Sequence, residues 1–75
     1  MKLKDMSNLP TRMVAQILGK SEQWVRIGLQ RNLLPFGLAV QIAEGYSYHI
    51  SYEKLKEYVG EERLLKYEKE HIEIN

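Results

Sequence analysis

Gln23, Arg26, Ile27 and Gln30 recur at intervals of three, one and three residues, which places all four on one side of a single helical stretch. In the major groove of a duplex such a set has a definite chemistry. The Arg26 guanidinium can fork onto a guanine edge or hold a phosphate, Gln23 and Gln30 can pair with adenine edges, and Ile27 can meet a thymine methyl. Ile27 would equally suit contact with a protein partner. Lys20, Arg12 and Arg31 flank the same side and suit phosphates, which position a protein without specifying sequence. Tyr46, at the tip of a hairpin further along, is a further phosphate contact. No arrangement in the chain suits bond-making. There is no glycine-rich phosphate loop, and the Ser/His/Asp and paired-carboxylate combinations have no cleft to occupy. With no cysteine and only two histidines, neither a zinc site nor any other cofactor is expected.

Seventy-five residues allow one small domain, 44% hydrophobic and 28% charged, values of a folded chain rather than a disordered one. A chain of this length buries only about 60% of its unfolded surface, so its stability margin is thin. No apolar run approaches the ~20 residues of a membrane span, and MKLKDMSN lacks a signal-peptide core. A cytoplasmic protein without membrane contact is expected. Net charge is +1, but it is unevenly spread. Residues 1–43 carry six cations against two acids, and residues 44–75 carry five cations against eight acids. A basic first half joined to an acidic second half suits a protein with one face toward a polyanion.

The elements that must position these side chains read as helix, helix, hairpin, helix and tail. Pro10 to Leu18 is the first helix, opened by a proline whose missing N–H costs nothing there and closed by Gly19. Ser21 caps the second, which runs to about Asn32 and must finish before Pro35. Val25 and Leu29 point toward a core, with Gly28 beside them. Trp24, on the flank, is expected against the hairpin or the third helix. Two short helices across a tight glycine turn make a helix-turn-helix.

Phe36 to Ile42 and Tyr46 to Ile50 alternate as strands. A three-residue turn at Ala43-Glu44-Gly45 would pair Ile42 with Tyr46, Val40 with Tyr48 and Leu38 with Ile50, gathering every large apolar side chain on one face and leaving His49 on the polar one. Ser51 caps a third helix with a Tyr52, Leu55, Tyr58 and Val59 stripe, ended by Gly60. Tyr46, Tyr48, Tyr52 and Tyr58 are expected to cluster between hairpin and third helix. The fold class is mainly α with a β-hairpin wing, a winged helix-turn-helix of order α-α-β-β-α over residues 1–60, followed by a helical tail over 61–75. The second helix (21–32) is the recognition helix and 36–50 the wing.

VAQILGKSEQWVRIGLQRNLLP, residues 14–35, resembles the winged helix-turn-helix modules of small excisionases and MerR-type proteins. The matching elements are Val14, Ala15, Leu18 and Gly19 at the first helix end, the Ser21 cap, Val25, and the Leu34-Pro35 exit. YSYHISYEKLKEYV, residues 46–59, continues the resemblance through Tyr48, Ile50, Ser51, Leu55 and Tyr58. The likeness spans roughly residues 9–60 and is greatest to short excisionase-like proteins of prophages and integrative elements. It implies sequence-specific binding of double-stranded DNA without catalysis, in an architectural role beside an integrase or other recombinase. The wing tip offers Glu44, Gly45 and Tyr46 where family wings commonly carry Arg or Lys.

Three other roles fit the same residues. One is a protein-interaction module that recruits a phage enzyme with weak DNA contact; the others are a small transcriptional regulator and a terminase small-subunit-like packaging factor. In the tail, Leu64, Tyr67, His71 and Ile74 form a narrow stripe suited to weak self-association, and residues 1–60 are expected to fold without it.

Overall fold

A computed structural model describes residues 2–72 and gives the order expected of a winged helix-turn-helix: α1 (Thr11–Leu18), α2 (Glu22–Gln30), β1 (Gly37–Ile42), β2 (Gly45–Ile50), α3 (Tyr52–Val59) and α4 (Glu61–His71). A single 3₁₀ turn, Leu3–Asp5, precedes them. Pro10 lies just outside α1 in extended conformation. At the other end the amides of Gly19 and Lys20 bond back to the carbonyls of Gln16 and Ala15, a closure that satisfies two terminal carbonyls. The Ser21 side chain accepts from the Trp24 amide at 3.1 Å, capping α2. That helix ends two residues sooner than its sequence suggests. Asn32 takes φ 57°, and the Asn32 and Leu33 amides bond to the carbonyls of Leu29 and Gly28. Asparagine tolerates the left-handed conformation that this closure demands.

The core collects Val14, Ala15 and Ile17 from α1, Val25 and Leu29 from α2, Phe36 and Ile50 at the base of the hairpin, Leu55 from α3 and Leu64 from α4. Leu3 and Leu9, from the N-terminal segment, are as deeply buried as any of these. The hairpin is tied to this body along its β2 edge. Asn8 donates its amide to the Tyr48 carbonyl at 3.0 Å and accepts the Ile50 amide at 2.9 Å, and the Leu9 amide donates to the Ile50 carbonyl at 3.1 Å. Residues 8 and 9 thus cover part of an edge that would otherwise present unpaired backbone groups.

The strand register differs from the expected one by a single residue. Gly37 faces Ile50, Ala39 faces Tyr48, Gln41 faces Tyr46 and Ile42 faces Gly45, so the turn is only Ala43-Glu44. The reason lies at the base. Ile50 is wholly buried, and a Cβ at position 37 would stand 2.5 Å from the His49 carbonyl oxygen and 3.0 Å from the Ile50 side chain. Only glycine fits opposite Ile50, so Leu38 cannot take that place. Because side chains alternate, the one-residue change moves a whole set to the other face. Leu38, Val40 and Ile42 are turned outward, about half exposed, and share that face with His49 and Ser47. The expectation that all large apolar side chains share one face is therefore corrected.

The aromatic cluster is likewise divided. Tyr46 and Tyr48 lie with ring centroids 6.3 Å apart on the inner face of the wing, whereas Tyr58 packs edge-on against Phe36 at 5.1 Å. Tyr52 is half-buried, with the Lys56 ammonium 5.9 Å from its ring.

The tail docks. Leu64 is fully buried, and the Glu68 carboxylate, itself buried, accepts the Leu3 amide at 2.6 Å. The Tyr67 hydroxyl donates to the Gln16 side chain at 2.8 Å, and its ring stacks on His71 at 4.4 Å. Of the stripe read from the sequence, Leu64 and Tyr67 therefore meet the domain itself; Ile74 lies outside the described residues. No helix among the described residues is long and apolar enough to cross a membrane.

Candidate nucleic-acid interface

α2 is held by Val25 and Leu29, 0% and 3% exposed, which turns Gln23, Arg26 and Gln30 outward. This is the side that the helical spacing picks out. Each outward residue has different company. The Arg26 guanidinium is paired with the Glu22 carboxylate at 2.9 Å, one helical turn earlier. The same Glu22 oxygen accepts the Thr11 hydroxyl at 2.7 Å, so α1 helps to hold the pair in place. Arg26 thus has a fixed direction but shares its charge with an acid. An exposed i,i+4 pair of this kind is weak, about 0.3–0.5 kcal/mol, and exchangeable for a stronger acceptor.

Gln30 is joined to the wing. Its side-chain amide donates to the Tyr48 hydroxyl at 2.6 Å. Tyr48 points inward, toward α2, because it lies two residues before the buried Ile50 on β2, and it stands opposite Ala39. It links the end of α2 to the hairpin, so that Gln23, Arg26, Gln30 and the wing's inner face form one continuous surface. Tyr46, 41% exposed, extends that surface toward the turn.

Ile27 is half-buried rather than fully outward. With Trp24, Gly28, Arg31, Leu33 and Leu34 it lines a shallow cleft of ≈ 280 Å³ along the flank of α2. Trp24 is not covered by the wing or α3 as expected. It is 40% exposed, with the Lys20 ammonium 5.3 Å from its ring centroid, a separation at which a cation is attracted to the indole face. Lys20 and Arg31 are exposed at the two ends of this flank, and Arg12 is exposed on α1. The structure therefore brings Gln23, Arg26, Gln30 and Tyr46 to one side, while Ile27 belongs to the flanking cleft.

The comparisons leave the family open. No protein-family model matches the chain, and no curated protein or solved structure matches it either.

Two contributors escape a reading of residue spacing, and one does not. The Glu22–Arg26 pair was legible, since a glutamate four residues before an arginine on a helix is a favourable arrangement. Tyr48 gave no such signal, because its contact with Gln30 joins a strand to a helix eighteen positions earlier. Asn8 was equally silent: its two hydrogen bonds to β2 join residues forty and forty-two positions apart. Among the described residues no group of three or more His, Asp or Glu is placed to hold a metal ion.

Proposed function

We propose that this protein is a non-catalytic, sequence-specific binder of double-stranded DNA in the cytoplasm, of excisionase type, acting architecturally beside a recombinase. In this reading α2 enters the major groove and the wing lies next to it. The observation that carries the reading is the Gln30–Tyr48 hydrogen bond. It makes the polar side of α2 and the inner face of the wing a single surface rather than two independent ones, as reading a groove and its adjoining backbone requires.

Arg26 reads a guanine edge or a neighbouring phosphate after leaving Glu22, Gln23 and Gln30 address base edges, and Lys20, Arg12 and Arg31 hold phosphates. With so few cations on this side, about three or four phosphates are neutralised, giving a log–log salt slope of roughly −2.7 to −3.6. The test is fluorescence anisotropy with duplexes spanning a candidate attachment site, read across a salt series. Site-selective binding with that slope is expected. Absence of binding at low salt overturns the reading.

A second reading, recruitment of a phage enzyme with weak DNA contact, is favoured by the cleft beside Trp24 and Ile27. Leu33 at its edge is 70% exposed, unusual for a leucine in so small a domain. Replacing Leu33 with Ser separates the two, since the DNA reading expects duplex affinity to stay unchanged.

A further inference from the structure

The outward face of the wing is a surface that neither α2 nor its neighbours use. Leu38, Val40 and Ile42 are 51%, 52% and 52% exposed, an unbroken aliphatic row along β1. Across the hairpin, Leu38 and Val40 face His49 and Ser47, and Ile42 faces Gly45. The body of the protein meets the inner side of this hairpin and its β2 edge, so the row is left as an exposed apolar patch, the kind of surface that marks an interaction site. We propose that this outer face is an isologous contact in which a second copy of the chain packs its own wing antiparallel across it, with the two-fold axis at Val40.

Two features select a second copy over another occupant. The first is the symmetry of the row. An antiparallel copy sets Val40 against Val40 and Ile42 against Leu38, so three side chains of similar exposure meet three of matching size, as a two-fold contact requires. The second is charge. No residue of fixed charge interrupts the row between Leu38 and Ile42. Beyond its tip end stands the exposed Glu44, and at its base the exposed His49. The antiparallel arrangement brings the carboxylate at each tip toward the imidazole at the partner's base, whereas a parallel one would oppose the two Glu44 carboxylates.

Area sets the strength. Three half-exposed aliphatic side chains offer on the order of 200–300 Å² per copy, against the roughly 800 Å² per partner of a stable interface. The dimer is accordingly weak, with half-association on the order of 0.1–1 mM. This contact does not depend on the DNA-binding reading, and it is tested without DNA.

Sedimentation equilibrium of the full chain up to millimolar concentration is expected to show reversible dimerisation. Val40→Lys, which sets two ammonium groups on the axis, is expected to abolish it while leaving the thermal midpoint unchanged, because Val40 is half exposed. The chain has no cysteine, so a single introduced thiol reports position. Val40→Cys treated with a short bismaleimide should give covalent dimer in much higher yield than Leu65→Cys, placed on the equally exposed Leu65 of α4. A mixture of Leu38→Cys and Ile42→Cys should give mixed dimer above the yield of either alone. A monomer throughout, undiminished association of Val40→Lys, or equal cross-linking at positions 40 and 65 would each overturn the proposal.

Discussion

Cutting the tie between the Leu3 amide and the Glu68 carboxylate should weaken the whole domain, because both groups are buried and neither has water to fall back on. Leu3 is 0% and Glu68 5% exposed, and the bond between them is 2.6 Å long. Glu68→Ala leaves the Leu3 N–H without a partner, a loss of about 1–3 kcal/mol. A 75-residue chain has a total stability of roughly 4–11 kcal/mol at the usual value per residue, so this is a large share. At about 4–8 °C per kcal/mol, the thermal midpoint should fall by about 4–24 °C. Leu64→Ala removes a fully buried side chain from the same helix and should cost about 2–5 kcal/mol. A chain ending at Gly60 loses both contributions, about 3–8 kcal/mol if they add, and should be largely unfolded. That outcome is the reverse of the sequence-based expectation that residues 1–60 fold alone. The assay is urea unfolding followed by far-ultraviolet circular dichroism, with Glu68→Gln as the variant that keeps an acceptor oxygen and should lose less than Glu68→Ala. Cooperative unfolding of the truncated chain at the full-length midpoint would refute this reasoning, as would an unshifted Glu68→Ala.

Arg26→Ala should lower affinity for the correct duplex by about 1–3 kcal/mol and relax selectivity at one base pair. Glu22→Gln, which releases Arg26, should instead raise affinity and steepen the salt slope; both are read by anisotropy. Gly28→Ala adds a Cβ 2.6 Å from Leu34 Cδ1 and 2.8 Å from its Cγ. That crowding, about 1–3 kcal/mol, should outweigh the roughly 1 kcal/mol gained in helix propensity and lower the urea midpoint. Burial holds the Tyr52 hydroxyl above the ordinary tyrosine value, and Glu68, Glu61 and Glu53 reinforce the shift against the opposing charge of Lys56. A raised value favours the protonated form in the folded state. The stability it contributes is therefore present below the unfolded tyrosine value and lost as pH rises through the folded one, which Tyr52→Phe should abolish in alkaline melts.

The helices were legible because their signals are local. Ser21, Gly19, Pro35 and Ser51 each mark a boundary through a bond or a steric conflict within a few positions in the chain. Hairpin register was not, since a three-residue turn and a two-residue turn differ by one position and the deciding fact is the space around Ile50. That single choice also turned Leu38, Val40 and Ile42 outward, whereas the Gln30–Tyr48 contact went unnoticed because it joins a helix to a strand eighteen positions on. The outer positions of α2 were readable from the burial of Val25 and Leu29, whereas the depth of Ile27 depended on how the chain from Leu33 to Leu34 folds back along the helix. Leu3 and Leu9 lacked any periodic context, and Glu68, although it falls in the helical register of Leu64, is a residue type that reads as solvated. Their burial is a property of three segments meeting, and no spacing within one segment reports it.

The bond between residues 3 and 68 also has a temporal consequence. Sixty-five positions separate its two ends, so every element from α1 to α4 must be made before it can close. On the ribosome, α1 and α2 can pair early, because the turn between them is short and their contacts are local. The Leu3 turn can meet α3 before then, but the Leu3 amide stays without its Glu68 acceptor until the last turns of α4 have emerged. Contacts of such long span are late and slow to form, since their loop-closure entropy is met before any contact rewards it. The nascent helix-turn-helix should therefore be a loosely held intermediate, open to proteolysis or chaperone capture near its N-terminus, until synthesis passes Glu68.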